Sequence, residues 1–236
     1  MSQKFAVFDV DGTLIRWQLY HAVVNRLARK GELGDSAYKK LKAARNRWKK
    51  REQVESFRDY EVELVHLWLD SMAQVSYTAY LEAVEETISE YVDQAYSYTR
   101  SLIKQLKADG YFLLTISASP EELVAKTAEH YGFDDYVAAQ FERDGDKFTG
   151  QVVTPFYNKA ERLQEMVKKH GLSWKESVAV GDTASDIQLL ELVEKPIAFN
   201  PNGALAAKAI KRNWPVIVER KNVVYELKPG EWNIVS

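Results

Sequence analysis

The sequence predicts an α/β protein in which a parallel β-sheet, covered by helices on both faces, is interrupted by an inserted bundle of helices. Residues 4–8 are a short apolar run, which is typical of a buried parallel strand. In residues 16–95 the apolar residues instead recur at helical spacing, and proline is absent. From residue 96 onward, strand and helix patterns alternate, as they do in parallel sheets.

The elements after the insertion follow one another in a regular order. A helix over residues 97–108 precedes an apolar strand over 111–117, and Pro120 stands near the first position of the next helix. The dipeptide Asp144-Gly145 predicts the turn of a β-hairpin, because Asp-Gly suits tight hairpin turns. The later helices are expected at residues 158–171, 184–195 and 202–213, and the later strands at 177–182, 196–199 and 215–218.

The helical block divides one domain into two stretches of chain. We predict a discontinuous α/β core of residues 1–15 and 96–236, with a cap of about four helices over residues 16–95. A chain of 236 residues is long enough for one sizeable core with such an insertion.

Composition narrows the class of protein. The net charge of −2 predicts no general attraction to nucleic acid or to a membrane surface. No stretch approaches the roughly 18 apolar residues of a membrane span, and the few residues before Asp9 are too short for a signal peptide. The absence of cysteine excludes disulfides, thiolate metal sites and cysteine nucleophiles, and it fits a reducing compartment. We therefore expect a cytoplasmic protein without a nucleic-acid or membrane partner.

Two aspartates stand at the end of the first predicted strand. Asp9 and Asp11 alternate with apolar neighbours, so that on an extended chain both carboxylates point the same way. Two like charges this close resist ionisation unless positive charge lies between them. The pair therefore predicts a cation site, a phosphate-binding role, or both.

Further polar residues follow other predicted strands. Ser117 ends the strand that follows the insertion, Asp182 and Asp186 follow the strand at 177–182, and Lys159 opens a helix. Because ligands of open α/β sheets bind at the carboxyl ends of the strands, these side chains are expected to share one site.

Each of these residues also has a simpler interpretation when taken alone. A single Asp-x-Asp is more often a solvated loop, or a site for calcium or a sugar nucleotide, than a nucleophile pair. Ser117 could be a helix N-cap and Lys159 a surface residue, and the stretch "GDTASD" could merely cap a helix. The functional interpretation depends on the whole set occurring together.

That set resembles the four motifs of the haloacid dehalogenase superfamily. "DVDGTL", a serine closing an apolar strand, a lysine before a helix, and "GDTASD" occur in the order of the family, and the resemblance spans nearly the whole chain. The inserted helices resemble the cap of the phosphoserine-phosphatase-like branch. The resemblance implies a three-layer Rossmann-like core with a helical-bundle cap.

The resemblance also implies roles for individual residues. Asp9 would be the nucleophile that forms an aspartyl-phosphate, and Asp11 the general acid and base. Mg²⁺ would be held by Asp9, by the main-chain carbonyl of Asp11 and by Asp182, and Asp186 would orient a metal-bound water or Lys159. The residues that would bind the phosphoryl group are Gly12, Ser117 and Lys159. The presence of Asp11 disfavours the dehalogenase branch, which lacks this second aspartate.

The substrate is less well defined by the sequence. Phosphoserine phosphatases carry a glutamate where this chain has Gln18, which disfavours phosphoserine itself. Trp17, Gln18 and His21 lie nearest to the first motif and are the candidate specificity residues, although His21 could equally be an ordinary surface or hinge histidine. Residues 38–51 carry eight basic residues and no acidic one, which indicates a solvated helix face or a rim that attracts anionic substrates.

The predicted function is the hydrolysis of a small phosphorylated metabolite. A phosphotransferase or mutase of the same fold differs only in the acceptor of the phosphoryl group. A non-catalytic phosphate-binding protein is the alternative from another class, and it would not need Asp11 as an acid and base.

Overall fold

The computed structural model describes residues 2–50, 56–154, 158–228, 230 and 232–234. The chain forms two compact units. The first unit comprises residues 1–17, 91–138 and 156–236, and the second comprises residues 18–90 and 139–155. The domain ranges expected from the sequence did not separate residues 139–155 from the core.

The part of the chain that the structure describes forms an eight-stranded sheet in the order β4-β3-β2-β1-β5-β6-β7-β8. Strand β1 lies between β2 and β5 and runs parallel to both, with Val7 opposite Leu114 on one side and Ala179 on the other. Four of the five β1 residues are buried, as its apolar run predicts. The strands are β1 (Lys4–Phe8), β2 (Phe112–Pro120), β3 (Asp135–Asp144), β4 (Lys147–Thr154), β5 (Ser173–Gly181), β6 (Lys195–Phe199), β7 (Val216–Arg220) and β8 (Val223–Leu227).

Helices of the first unit cover the sheet. One layer of the core joins Phe5 and Val7 of β1 to apolar residues of three helices, among them Leu163, Leu189 and Leu205. The predicted α/β class, a mostly parallel sheet with helices on both sides, is confirmed. The helices are α5 (Ser97–Ala108), α6 (Glu121–Tyr131), α7 (Lys159–His170), α8 (Ile187–Leu192) and α9 (Gly203–Arg212).

Several boundaries differ from the sequence-based expectation, among them the start of β5 at Ser173 instead of residue 177, and two others have a common cause. Strand β2 continues to Pro120 instead of ending at residue 117, and Pro120 then caps α6. Helix α8 ends at Leu192 because Lys195 is already paired with Val178 in the sheet. Both differences arise from strand pairing, which local sequence patterns do not reveal.

Within the described residues, the second unit has four α-helices and an aromatic interior. Trp68 and Tyr80 are buried there, and both rings contact Phe148 of β4, at 5.6 Å and 5.2 Å between ring centroids. This contact explains why the hairpin segment groups with the helices instead of with the rest of the sheet. The helices are α1 (Leu19–Lys30), α2 (Ala37–Lys50), α3 (Ser56–Ser71) and α4 (Tyr77–Tyr91).

The predicted hairpin is confirmed within this segment. Strands β3 and β4 are antiparallel, with Asp144 opposite Lys147 at the turn. Gly145 has a φ of 58°, a left-handed conformation that glycine adopts at little cost.

The predicted basic segment forms α2, apart from Arg51, which lies outside the described residues. Leu41 and Ala44 are buried, while most of its lysines are exposed. Trp48 stacks on Tyr60 with ring centroids 5.6 Å apart, so it packs within the bundle. Among the described residues, no helix combines the length and the apolar character needed to cross a membrane.

Candidate active site

The predicted polar residues meet at the carboxyl ends of the central strands, within the first unit. Asp9 directly follows β1, and its backbone N–H donates to the carbonyl of Val180 in β5 at 3.0 Å. Asp182 directly follows β5, and Lys159 is the first residue of α7. Because these strand ends share one edge of the sheet, the side chains lie close together, as the sequence predicts.

Lys159 joins two of the carboxylates. Its Nζ donates to Oδ1 of Asp9 at 2.7 Å and to Oδ1 of Asp186 at 2.6 Å, and all three residues are buried. Asn158 caps α7 by accepting a hydrogen bond from the backbone of Glu161, which fixes the start of the helix and hence Lys159. A buried cation thus sits directly against the candidate nucleophile.

The second oxygen of Asp186 is held by the backbone of the preceding turn. It accepts from the N–H groups of Asp182 and Thr183, at 3.1 Å and 3.0 Å. A Cβ on Gly181 would lie 2.3 Å from the Cβ of Asp186, so only glycine leaves room for this close approach. Asp186 therefore serves both as the cap of this turn and as the partner of Lys159.

Asp182 is oriented by the turn that follows β1. Thr13 donates from Oγ1 to Oδ1 of Asp182 at 3.0 Å. In the same turn Gly12 has a φ of +85°, and a Cβ built there would lie 2.3 Å from Oδ2 of Asp182. Both its backbone conformation and the space beside Asp182 thus require glycine at position 12.

Asp11 is held by two serines of β2. Ser119 donates from Oγ to Oδ2 of Asp11 at 2.5 Å, and Ser117 lies at 3.4 Å from the same oxygen. The backbone N–H of Ser119 also donates to Oγ of Ser117 at 3.1 Å. The structure thus brings the predicted Ser117 to the candidate acid and base, and it adds Ser119.

Sequence reasoning missed Ser119 and did not assign a contact to Thr13. The signal for Ser119 was its position two residues after Ser117, because residues i and i+2 of a strand face the same side. This spacing places Ser119 beside Ser117 only if β2 continues through residue 119. The strand does so in the structure, whereas the sequence pattern predicted its end at residue 117.

The electrostatics of the site are those of an excess of buried negative charge. Burial raises the pKa of Asp9 to about 7, even though Lys159 acts in the opposite direction. Burial, with the neighbouring Asp9, also raises the pKa of Asp182 well above its usual range. Burial alone would lower the pKa of Lys159, but Asp186 and Asp9 outweigh it and raise that pKa. Lys159 therefore stays charged.

Three of these carboxylates could hold a metal ion. Asp9, Asp182 and Asp186 each offer an oxygen, and these oxygens all lie within 4.8 Å of one another. Oxygen donors of this kind suit hard divalent cations. Three carboxylates here surround one ammonium group, that of Lys159, and a divalent cation would balance the negative charge that remains when all three are ionised.

The three candidate specificity residues lie around the start of α1. Trp17 is half-buried in the first unit. Gln18 is the N-cap of α1 and makes no side-chain capping bond. His21 is buried within the second unit, with its ring centroid 5.3 Å from that of Tyr60, so it is not a surface histidine.

Comparison with known proteins gives consistent relatives. The sequence model of haloacid dehalogenase-like hydrolases matches residues 6–191. A histidinol-phosphatase of Neisseria meningitidis is 28% identical over 229 residues, covering 91% of this chain and 98% of that protein. A Streptomyces azureus protein described as an inhibition of morphological differentiation protein is 32% identical over 170 residues, covering 70% of this chain. The match spans only 59% of that protein's own length.

Solved structures show the same fold. A protein of unknown function from Bordetella pertussis superposes with a TM-score of 0.74 at 24% identity, covering 92% of this chain and 98% of that one. A phosphoserine phosphatase solved as a phospho-aspartyl intermediate analogue superposes with a TM-score of 0.63 at 22% identity. The match covers 94% of this chain and 95% of that one.

The chain belongs to the haloacid dehalogenase-like hydrolase family. Within that family it is a phosphoric monoester hydrolase, and the Neisseria meningitidis relative, matched over 98% of its own length, is named a phosphatase.

Proposed function

We propose that this phosphatase hydrolyses a small phosphate monoester through an aspartyl-phosphate on Asp9, with Mg²⁺ as its metal. The observation that carries the proposal is the buried contact between Asp9 and Lys159 at the strand ends, 2.7 Å long, beside Asp182 and Asp186. A cation against a carboxylate suits a nucleophile that must attack an anionic phosphoryl group.

In the first step, an oxygen of Asp9 forms a bond to phosphorus while the bond from phosphorus to the ester oxygen breaks. Asp11, starting as the carboxylic acid, gives its proton to the departing oxygen, so that the product leaves as an alcohol. In the second step Asp11 takes a proton from water, and the water oxygen bonds to phosphorus as the bond to Asp9 breaks. Inorganic phosphate is released and both aspartates return to their starting states.

Other residues would bind the transferring group. Lys159 would offset charge on the phosphoryl oxygens, Ser117 would donate its hydroxyl, and Gly12 allows the backbone to approach closely. Mg²⁺ would be held by Asp9 and Asp182, with the backbone carbonyl of Asp11, and it would neutralise charge between nucleophile and substrate.

The substrate class is inferred from relatives and from the cap sequence. Relatives of the chain are named histidinol-phosphatase and phosphoserine phosphatase. Both names refer to enzymes whose substrate is a small phosphorylated metabolite. We propose that Trp17, Gln18 and His21 contribute to the choice of substrate. We also propose that the protein is cytoplasmic. Transfer to a second hydroxyl instead of water remains the alternative reaction of the same site.

The test is phosphate release from a panel of phosphorylated metabolites, measured with Mg²⁺ and with a chelator. We expect metal-dependent release concentrated on one chemical class, and loss of that release in Asp9→Asn, whose shape is nearly unchanged. Release that persists in the chelator, or in Asp9→Asn, would contradict the proposal.

A further inference from the structure

Ser119 makes the shortest hydrogen bond to Asp11 among the described residues for which a distance is given. Its hydroxyl donates to Oδ2 of Asp11 at 2.5 Å, and the serine is only 2% exposed. A buried hydroxyl with such a partner has little freedom to rotate, because leaving it unbonded in the interior would cost free energy.

We propose that Ser119 is a positioning residue that fixes the orientation of the Asp11 carboxyl group for proton transfer. The inference rests on the proposed function, in which Asp11 is the general acid and base. Ser119 itself does not touch the reacting atoms, and it acts through Asp11.

The hydrogen bonds from the two serines distinguish the two carboxyl oxygens of Asp11. Both serine hydroxyls donate to the same oxygen, Oδ2 of Asp11, from Ser119 at 2.5 Å and from Ser117 at 3.4 Å. In a neutral carboxyl group the carbonyl oxygen is the better acceptor, so hydrogen bonds to Oδ2 favour the form of Asp11 that carries its proton on Oδ1. When the hydroxyl of Ser117 donates to the phosphoryl group, the bond from Ser119 still fixes the rotation of the carboxyl group, and with it the direction in which Oδ1 points.

The side chain and the backbone of Ser119 have separate tasks. The backbone N–H donates to Oγ of Ser117 at 3.1 Å, whereas only the hydroxyl reaches Asp11. Ser119→Ala removes the contact to Asp11 and leaves the bond to the predicted phosphate-binding serine intact. The substitution therefore isolates the proposed role.

The consequence depends on the leaving group. An alkyl phosphate releases a strongly basic oxygen that needs a proton as its bond to phosphorus breaks, and general acid catalysis is worth about 10²–10⁴ in rate. The oxygen of p-nitrophenyl phosphate is a stable anion and needs little protonation. Poor positioning of Asp11 should thus slow the first reaction and spare the second.

The experiment compares kcat/KM of wild type and Ser119→Ala for ethyl phosphate, phenyl phosphate and p-nitrophenyl phosphate, with Mg²⁺ present. We expect a loss of about tenfold or more for ethyl phosphate, a smaller loss for phenyl phosphate, and less than about threefold for p-nitrophenyl phosphate. The ratio between substrates does not depend on the fraction of protein that is folded, so a partly unfolded variant still gives a valid result.

Two further variants sharpen the comparison. Ser119→Thr restores the hydroxyl and should recover the wild-type ratio between ethyl and p-nitrophenyl phosphate. Ser177→Ala is the matched control, because Ser177 is a fully buried serine of β5 that donates to the carbonyl of Trp174 and takes no part in the site. It should leave the ratio unchanged.

The inference would be overturned if Ser119→Ala kept the wild-type ratio of kcat/KM between ethyl phosphate and p-nitrophenyl phosphate. This holds whether its rates are unchanged or are lowered equally for all three esters. Failure of the proposed function gives a different result, in which wild type itself hydrolyses none of the three esters. The two failures are thereby distinguished.

Discussion

Lys159 places its ammonium group 2.7 Å from Oδ1 of Asp9, and both side chains are buried below the surface of the first unit. The same ammonium lies 2.6 Å from Asp186, so one cation serves two carboxylates. The arrangement places positive charge where a carboxylate nucleophile would meet a phosphoryl group.

Lys159→Met should reduce both stability and activity. Removing one partner of a buried ion pair costs about 3–5 kcal/mol, because the remaining charges are left buried without compensation. Protonation of Asp9 or binding of Mg²⁺ offsets part of this cost, so the loss in Tm should be smaller when Mg²⁺ is present. Thermal unfolding with and without Mg²⁺ measures this.

The matched control is Lys169→Met, which removes an exposed lysine of the same helix that pairs with Asp135. Exposed pairs contribute about 0–1 kcal/mol, so its Tm should stay near that of wild type. Equal Tm values for the two variants would show that Lys159 is not a structural ion-pair partner.

Gly12→Ala should be damaging for two separable reasons. The backbone there has a φ of +85°, and the new Cβ would lie 2.3 Å from Oδ2 of Asp182. Gly34→Ala introduces the same strain at a φ of +86° but meets no atom within 4 Å. The control should lose roughly 1 kcal/mol, and Gly12→Ala clearly more, with loss of phosphatase activity. Urea unfolding and activity of both variants decide this, and equal losses of stability would refute the steric argument.

Without metal, Asp9 should contribute a loss of stability as pH rises from about 4 to about 7, seen as the difference between wild type and Asp9→Asn. The folded pKa of Asp9 is about 7 and its ordinary value is 3.8, so between these limits the folded state binds more protons than the unfolded state. The contribution of Asp9 to the free energy of unfolding is fully present below pH 3.8 and is lost as pH rises through 7. Asp182, whose pKa is also raised, acts in the same direction.

The measurement is urea unfolding at several pH values with chelator and with Mg²⁺. Wild type should show a steeper decline with chelator than Asp9→Asn, which carries no titrating group at position 9. Addition of Mg²⁺ should reduce the wild-type decline, because the ionised carboxylates then have a partner. A decline that Asp9→Asn shares in full would assign the effect to other groups.

His21 should contribute the opposite dependence over an overlapping pH range, so its contribution is measured with Mg²⁺ present, which reduces that of Asp9. Burial lowers the pKa of His21 to about 3, whereas the unfolded residue titrates near 6.5. Below pH 6.5 the unfolded state therefore binds the extra proton, and stability falls as pH falls from 6.5 toward 3. His21→Gln should flatten this decline, measured by urea unfolding with Mg²⁺ present throughout.

His66→Gln provides the control, because His66 is an exposed histidine of α3 in the same unit. It should keep the wild-type decline below pH 6.5. A His21→Gln protein with an unchanged decline would show that His21 is not the buried group responsible.

The sequence predicted the architecture because its signals are local and strong. The apolar run of β1 and the Asp144-Gly145 turn both lie where expected. The convergence of Asp9, Lys159 and Asp182 followed from topology, since strand ends share one edge of a sheet.

What the sequence could not reveal depends on contacts between distant residues. The assignment of residues 139–155 to the second unit follows from rings such as Phe148 and Trp68, which lie far apart in sequence. Ser119 joined the site only because pairing extends β2 beyond residue 117. The burial of His21 likewise depends on which face of α1 meets Tyr60.

The most direct test of the account is to trap phosphate on Asp9. Wild type and Asp11→Asn would be mixed with p-nitrophenyl phosphate and Mg²⁺, quenched in acid, digested and mapped by mass spectrometry. The account predicts phosphate on the peptide that contains Asp9, in greater amount in Asp11→Asn, because that variant lacks the base that activates water. Metal-dependent turnover by wild type with phosphate on no peptide, or on another residue, would contradict the account.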